Sequence, residues 1–523
     1  MTRSRRLPLL ALLLLTPACA KRVSDVGASP YWTAAAAPAR DEAPNTESYA
    51  HIAENEFKRV ADDPLSTFSI DVDTASYSNV RRFLEDGQLP PADAVRIEEM
   101  INYFTYAYPE PQAGQPFSVR TEVAACPWND RARLVQIGIK GKSLAPTEIP
   151  PRNLVFLLDV SGSMGSPDKL PLLQRSLALL VADIRPVDSV AIVVYAGAAG
   201  VVLEPTSDRD KIVTALDGLY AGGSTNGGQG IEAAYALAQR AFRKGGINRV
   251  ILATDGDFNV GVSSEGELQR LIEAKRDSGI FLSVLGFGTG NIKDSTMEML
   301  ADKGNGNYAY IDSLQEARKV LVEQAGATLV TIAKDVKIQV EFNPIKVGAY
   351  RLIGYENRML AHNEFNDDRK DAGEIGAGHT VTALYEVLPP GAESAVPDVD
   401  PLRYQQPKAA SAAGSNELMH VKLRYKQPEA ADSQLLTMPV ADPGAALDTA
   451  SDDLRFAAAV ALFGMKLRNS EHARGVSYKQ IRGLAEGALG PDLKGYRRGM
   501  LALLGLAAGK QGEPLDAPAT VAR

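Results

Sequence analysis

The clearest signal along this chain is a change in the spacing of its apolar residues. Val135, Ile137 and Ile139 alternate with other residues between Leu134 and Lys140, and Phe117 to Val123 has the same character. A period of two predicts half-buried strands. From Asn153 the alternation gives way to near-continuous apolar runs: Leu154 to Leu158, Ser189 to Tyr195, Arg249 to Ala253 and Phe281 to Leu285. Helical spacing near 168–184, 208–218, 229–244 and 264–277 separates them. Strands apolar on both faces, interleaved with helices, imply a mostly parallel sheet covered on both sides. Tyr308 to Ile311 and a helix near 313–328 close that unit. Period two returns after residue 331, in Val336, Ile338, Val340 and Phe342, then in Val381, Ala383, Tyr385 and Val387, then in Met419, Val421, Leu423 and Tyr425. Asp452 to Arg468 and Tyr478 to Ala508 carry apolar residues at helical spacing, and their Leu and Ala stripe reads as core packing.

The expected fold class is α/β: a doubly wound, mostly parallel sheet over 150–330, flanked by antiparallel β segments and a C-terminal helical piece. The expected divisions are a signal peptide at 1–18, a lipid-anchored flexible tether at 19–60 and an N-terminal module with β strands at 61–149. After the α/β unit come a β-rich domain at 331–430 and a helical region at 431–523. Because the strands on the two sides of the α/β unit are alike, two arrangements stay open. Either that unit is inserted into one sandwich built from both flanks, or separate domains follow one another in series.

Charge and cysteine content remove several function classes. With 56 Lys and Arg against 64 Asp and Glu, the net charge of −8 argues against a protein that grips nucleic acid through a basic face. Cys19 and Cys126 are the only cysteines, which excludes a disulfide framework and any multi-cysteine metal site. Any metal must therefore be held by oxygen, and Cys126 reads as a small buried hydrophobe. There is no His-Glu-x-x-His, no Gly-x-Ser-x-Gly and no Gly-x-x-x-x-Gly-Lys-Ser/Thr, so zinc hydrolase, esterase and nucleotide hydrolase chemistry have no support.

The N-terminus reads as an address. Arg3, Arg5 and Arg6 precede an apolar run from Leu7 to Leu15, which ends in Thr16-Pro17-Ala18-Cys19. Small residues before a lone cysteine resemble a bacterial lipobox, which implies cleavage before Cys19 and its acylation. No later run is long enough to span a bilayer, so the expected location is the cell envelope, lipid-anchored and facing the periplasm or cell surface. Ala20 stands where an aspartate would favour the inner membrane, and by that resemblance the outer membrane is preferred.

Candidate chemistry gathers at the carboxyl end of the first α/β strand, the edge at which open sheets of this kind bind ligands. There, Asp159-Val160-Ser161-Gly162-Ser163 offers one carboxylate and two hydroxyls from a single turn. Two further loops add Thr225, in Gly222-Gly223-Ser224-Thr225-Asn226, and Asp255, in Thr254-Asp255-Gly256-Asp257. Asp257 reads as a turn residue or one that supports the ligands from behind, and the Asp71-x-Asp73-Thr74-x-Ser76 run upstream, which could pass for another cation loop, reads as a structural turn because no second acidic loop stands near it in the sequence. A hard divalent cation such as Mg²⁺, or alternatively Mn²⁺ or Ca²⁺, suits such an all-oxygen set. An octahedral ion held by these donors keeps a position open to a carboxylate from outside.

The Asp-x-Ser-x-Ser turn, Thr225 and Asp255, in that order on that strand-helix pattern, resemble the metal-ion-dependent adhesion site of von Willebrand factor type A domains. The resemblance implies that Asp159, Ser161, Ser163, Thr225 and Asp255 hold the ion, and that a protein partner offering an acidic side chain completes its shell. Three further stretches, Phe68 to Tyr77, Ala253 to Gly261 and Tyr350 to Arg358, resemble bacterial YfbK-type von Willebrand factor A lipoproteins and extend the likeness over nearly the whole chain. The expected function is metal-dependent, adhesion-type protein binding in the envelope, without catalysis. The alternatives are a metal-dependent hydrolase acting on envelope material, and a structural lipoprotein whose ion stabilises only its own loops.

Overall fold

The computed structural model describes residues 45–515 apart from 71–72, 197, 224–226, 257–264, 326–328, 371, 393–414, 429 and 514. Cys19 and the rest of the expected signal and the tether up to residue 44 lie outside the described residues. The chain opens with β1 (Lys58–Arg59), β2 (Leu65–Ser69), α1 (Ala75–Glu85), α2 (Ile97–Asn102), β3 (Phe117–Ala125) and β4 (Arg133–Gly141). The α/β unit follows as β5 (Arg152–Asp159), α3 (Leu170–Val181), β6 (Ser189–Tyr195), β7 (Ala199–Thr206), α4 (Arg209–Asp217) and α5 (Gly227–Arg240). It continues through β8 (Ile247–Thr254), α6 (Glu265–Asp277), β9 (Phe281–Phe287), α7 (Asp294–Lys303), β10 (Tyr308–Ile311) and α8 (Leu314–Arg318). The helix expected over 313–328 is thus a short α-helix running into a π-helical turn, Lys319–Glu323. After it come β11 (Thr331–Phe342), β12 (Ala349–Ile353), β13 (Gly373–Gly376), β14 (Thr380–Leu388), β15 (Glu417–Lys426), β16 (Ser433–Ala441), α9 (Asp452–Leu467), α10 (Tyr478–Glu486) and α11 (Tyr496–Lys510).

The α/β sheet has the order β10-β9-β8-β5-β6-β7. Five of its strands are parallel, and β7 is an antiparallel edge against β6. Every residue of β5 is buried, as expected of a central strand with helices on both faces. One face packs Leu154, Phe156 and Leu158 against α3, and the other packs Val155 and Leu157 against α5.

The flanking strands form two further sheets, one ordered β1-β12-β14-β4-β3 and one in which β11 joins β13, β15 and β2, with β16 beyond β15. Val135 of β4 is in register with Tyr385 of β14, and Ile338 of β11 with Phe68 of β2. Strands from before residue 150 and after 331 therefore share both sheets, and the α/β unit is inserted within a single sandwich. The core of the sandwich joins Val135, Ile137, Ile139, Val381, Ala383 and Tyr385 from the first sheet to Ile338, Val340, Val421 and Leu423 from the second. β14 is buried along its whole length rather than half-buried, because helices cover its other face. These helices come from both ends of the chain: Tyr77, Met100 and Ile101 pack with Phe456, Phe463, Tyr478 and Leu504.

Two expected boundaries move. β16 belongs to the sandwich although it falls in the segment expected to be helical; its inward Leu436, Met438 and Val440 do alternate, but adjacent Leu435 and Leu436 and the outward Pro439 obscure the pattern. Proline is tolerated there because β16 is an edge. At the other end, residues expected to belong to the tether are fixed to the fold. Thr46 and Ser48 donate backbone N–H groups to Gly290 and Ile292 at 2.7 and 2.9 Å, and β1 pairs with β12.

Candidate metal centre

The parallel register of β5 beside β8 puts the carboxyl ends of both strands at one edge of the sheet. Asp159 ends β5 and Asp255 follows β8 by one residue, so both carboxylates sit at that edge, each almost fully buried. The Asp159 Oδ1 accepts the Ser161 backbone N–H at 2.8 Å, which closes the turn. Its Oδ2 lies 3.3 Å from both the Tyr195 hydroxyl and the Thr254 hydroxyl, the donors available from β6 and β8. Burial lifts the Asp159 carboxyl to about 6 against the pull of the Ser161 hydrogen bonds, and the neighbouring Asp255 charge adds to the rise.

The turn then brings its hydroxyls forward. Ser161 and Ser163 Oγ are 3.0 Å apart, Ser161 buried and Ser163 exposed, so the pair spans the boundary between protein and solvent. Thr225 lies outside the described residues, but the loop leading to it is pinned against this turn. Gly222 N–H donates to Val160 O at 2.8 Å, and Gly162 N–H donates to Gly223 O at 3.0 Å. On the far side Gly256 has φ +99°, and a Cβ there would lie 2.6 Å from Asn291 O. Glycine therefore lets the Asp255 loop close onto residues 291–293.

The structure also places groups that spacing alone did not single out. Lys169, buried at the N-cap of α3, sets its Nζ 2.8 Å from Asp255 Oδ2, and Asn291 Nδ2 donates to the same oxygen at 3.3 Å. Lys169 did carry a signal. A cation at a helix N-terminus opposes the helix dipole and calls for a compensating anion.

The donors fit a hard cation held largely through hydroxyls and water. All are oxygens, the two carboxylates are buried and tied into the frame, and the serine hydroxyls run from buried Ser161 to exposed Ser163. Among the described residues no group of three or more His, Cys, Asp or Glu is placed to hold a metal, so a site made of such ligands alone is not an alternative there. Cys126 is buried within the helical layer, and burial pushes its thiol far up, away from nucleophilic behaviour. Asp257 and Asp71 lie outside the described residues, while Asp73, rather than closing a local turn, accepts the Tyr308 backbone N–H of β10 at 2.7 Å through Oδ1 and faces Arg358 at 3.5 Å.

Comparison with known proteins adds family information to this geometry. Residues 153–324 match the von Willebrand factor type A domain model, 43–136 match a model described as von Willebrand factor, and 327–509 match the C-terminal model of the uncharacterized protein YfbK. YfbK of Escherichia coli (strain K12) is 46% identical over 476 residues, spanning 89% of this chain and 82% of that protein. A UPF0353 protein of Mycobacterium sp. (strain KMS) is 27% identical over 198 residues, 32% of this chain and 59% of its own length. Among solved structures, a von Willebrand factor type A protein from Catenulispora acidiphila aligns with TM-score 0.39 at 16% identity, covering 74% of this chain and 91% of its own.

Proposed function

Because this chain belongs to the YfbK family of von Willebrand factor type A proteins, we propose that it is a binding protein of the bacterial envelope that recognises an acidic side chain of a protein partner through a divalent cation, Mg²⁺ in the first instance. The observation that carries this reading is the pairing of two buried carboxylates at adjacent strand ends with two hydroxyls in contact, Ser161 buried and Ser163 exposed to solvent. A cation held there would supply a coordination position for the incoming carboxylate. Ser161 and Ser163 present their oxygens to it, Thr225 adds a third hydroxyl, and Asp159 and Asp255 act through water. The proposed role is binding rather than catalysis. Asp159 is tied to Ser161, Tyr195 and Thr254, and Asp255 is held by Lys169 and Asn291, so neither carboxylate is disposed as a general base. Cys19 would carry the acyl anchor, with the outer membrane as the proposed site.

The test is retention of envelope proteins by the wild-type chain and by Asp159→Ala, each in Mg²⁺ and in EDTA. A protein held only by wild type in Mg²⁺ supports the reading and identifies the partner. Equal retention under all four conditions, or none, rejects it.

A further inference from the structure

Lys169 is built into the centre in a way that the proposed binding role does not require. Its stem crosses Gly288, whose φ is +72°, and a Cβ on that glycine would come within 2.2 Å of Lys169 Cγ and 2.4 Å of Cε. The sequence thus leaves out a side chain at Gly288 to let the lysine through. Its ammonium then meets Asp255 at 2.8 Å, with the lysine side chain 9% exposed and the aspartate's fully buried.

We propose that Lys169 is a resident positive charge that makes metal binding and carboxylate binding depend on one another, an inference that rests on the metal-dependent reading above. Asp159, Asp255 and Lys169 together carry one net negative charge. A divalent cation turns that sum positive by one, and the carboxylate of a partner returns it to zero. With the lysine made neutral, the two aspartates alone would balance the cation, and an incoming carboxylate would leave a net negative charge. The lysine therefore weakens the hold on metal alone and strengthens the hold on metal plus carboxylate.

The experiment titrates Mn²⁺ into the full chain, wild type and Lys169→Met, by calorimetry, with and without acetate as the carboxylate probe. Methionine keeps an unbranched stem over Gly288 and removes the charge. Lys169→Met should bind Mn²⁺ alone about tenfold or more tightly than wild type, the scale expected when a buried neighbouring charge is removed. Acetate should tighten Mn²⁺ binding in wild type and do so less in the variant. Equal or weaker Mn²⁺ binding by the variant, with wild type still binding, overturns the role of Lys169 and leaves the metal site standing. Absence of Mn²⁺ binding in both chains overturns the metal site as well.

Where Lys169→Met does not fold unaided, the thermal shift on adding Mn²⁺ is compared in Asp255→Asn and in Lys169→Met/Asp255→Asn. At a Mn²⁺ concentration that shifts Asp255→Asn itself, a larger shift in the double variant supports the proposal and an equal or smaller one overturns it.

Discussion

At the scale of single residues, the fold holds acids that burial should keep uncharged. Glu98 on α2 is 3% exposed, and its Oε2 has no hydrogen-bond partner. Burial, reinforced by the nearby Glu356 and Glu99 charges, raises its carboxyl to about 8. The unfolded chain ionises this group near 4.5, so between that pH and about 8 the native state retains a proton that the unfolded state has lost. The contribution of Glu98 to stability is present at low pH and falls away as pH rises through this window. Glu98→Gln, permanently neutral, should melt higher than wild type at pH 8, by on the order of 2 kcal/mol, and differ little at pH 4.5. Melting curves of both chains across pH decide this. The residues of the candidate centre differ in how readable they were. The Asp-x-Ser-x-Ser turn is contiguous and visible in the sequence, whereas Tyr195 and Asn291 reach Asp159 and Asp255 from distant strands and loops with no local mark.

At the scale of elements, the α/β unit is secured at the end of its sheet opposite the candidate centre. Asp188, just before β6, has a fully buried side chain and accepts Arg152 Nη2 at 2.8 Å and the Arg152 backbone N–H at 2.9 Å. Arg185 adds its backbone N–H at 2.8 Å and its own guanidinium. Burial alone would raise the Asp188 carboxyl, but the hydrogen bonds from Arg185 and Arg152 outweigh it and hold the group well below the usual range. Asp188→Ala should cost about 3 kcal/mol, the low end for breaking a buried ion pair, because the buried Arg152 guanidinium keeps only its contacts to Asp183, and denaturant unfolding measures the loss. Most of these elements were legible because their strands are continuous apolar runs. Others were missed for physical reasons. The edge strand β7 has no buried face to impose a pattern, and α7 spans only ten residues of mixed polarity. In α1, Ser76, Ser78 and Asn79 are buried polar residues that blur the helical stripe.

At the scale of the whole molecule, the α/β unit is joined to its surroundings by buried charge. Arg96 contacts Glu99 at 2.8 Å, Glu298 at 3.0 Å and Asp294 of α7. Arg81 holds Asp312 at 2.6 Å and Glu316 at 2.8 Å, and Tyr103 donates to Glu316 at 2.8 Å. A fragment of residues 150–330 leaves Asp294, Glu298 and Asp312 without these arginines, and Glu316 with Lys319 alone. It should melt well below the full chain, and Arg96→Ala in the full chain should lose about 3–5 kcal/mol. Calorimetry of the three proteins checks both expectations. Sequence patterns showed the alike flanks but not their union, since register between distant strands leaves no local trace. That union also governs the order of events during synthesis. β4 emerges long before β14, its neighbour in the sheet, and at about 5–20 residues per second the wait is on the order of tens of seconds. For that interval the early strands present open edges, while the strands of the inserted α/β unit emerge one after another and complete their own sheet before β14 appears. The nascent chain is most exposed to aggregation then, and the sandwich closes only after the inserted unit has been made, with the C-terminal helices that cover β14 emerging later still.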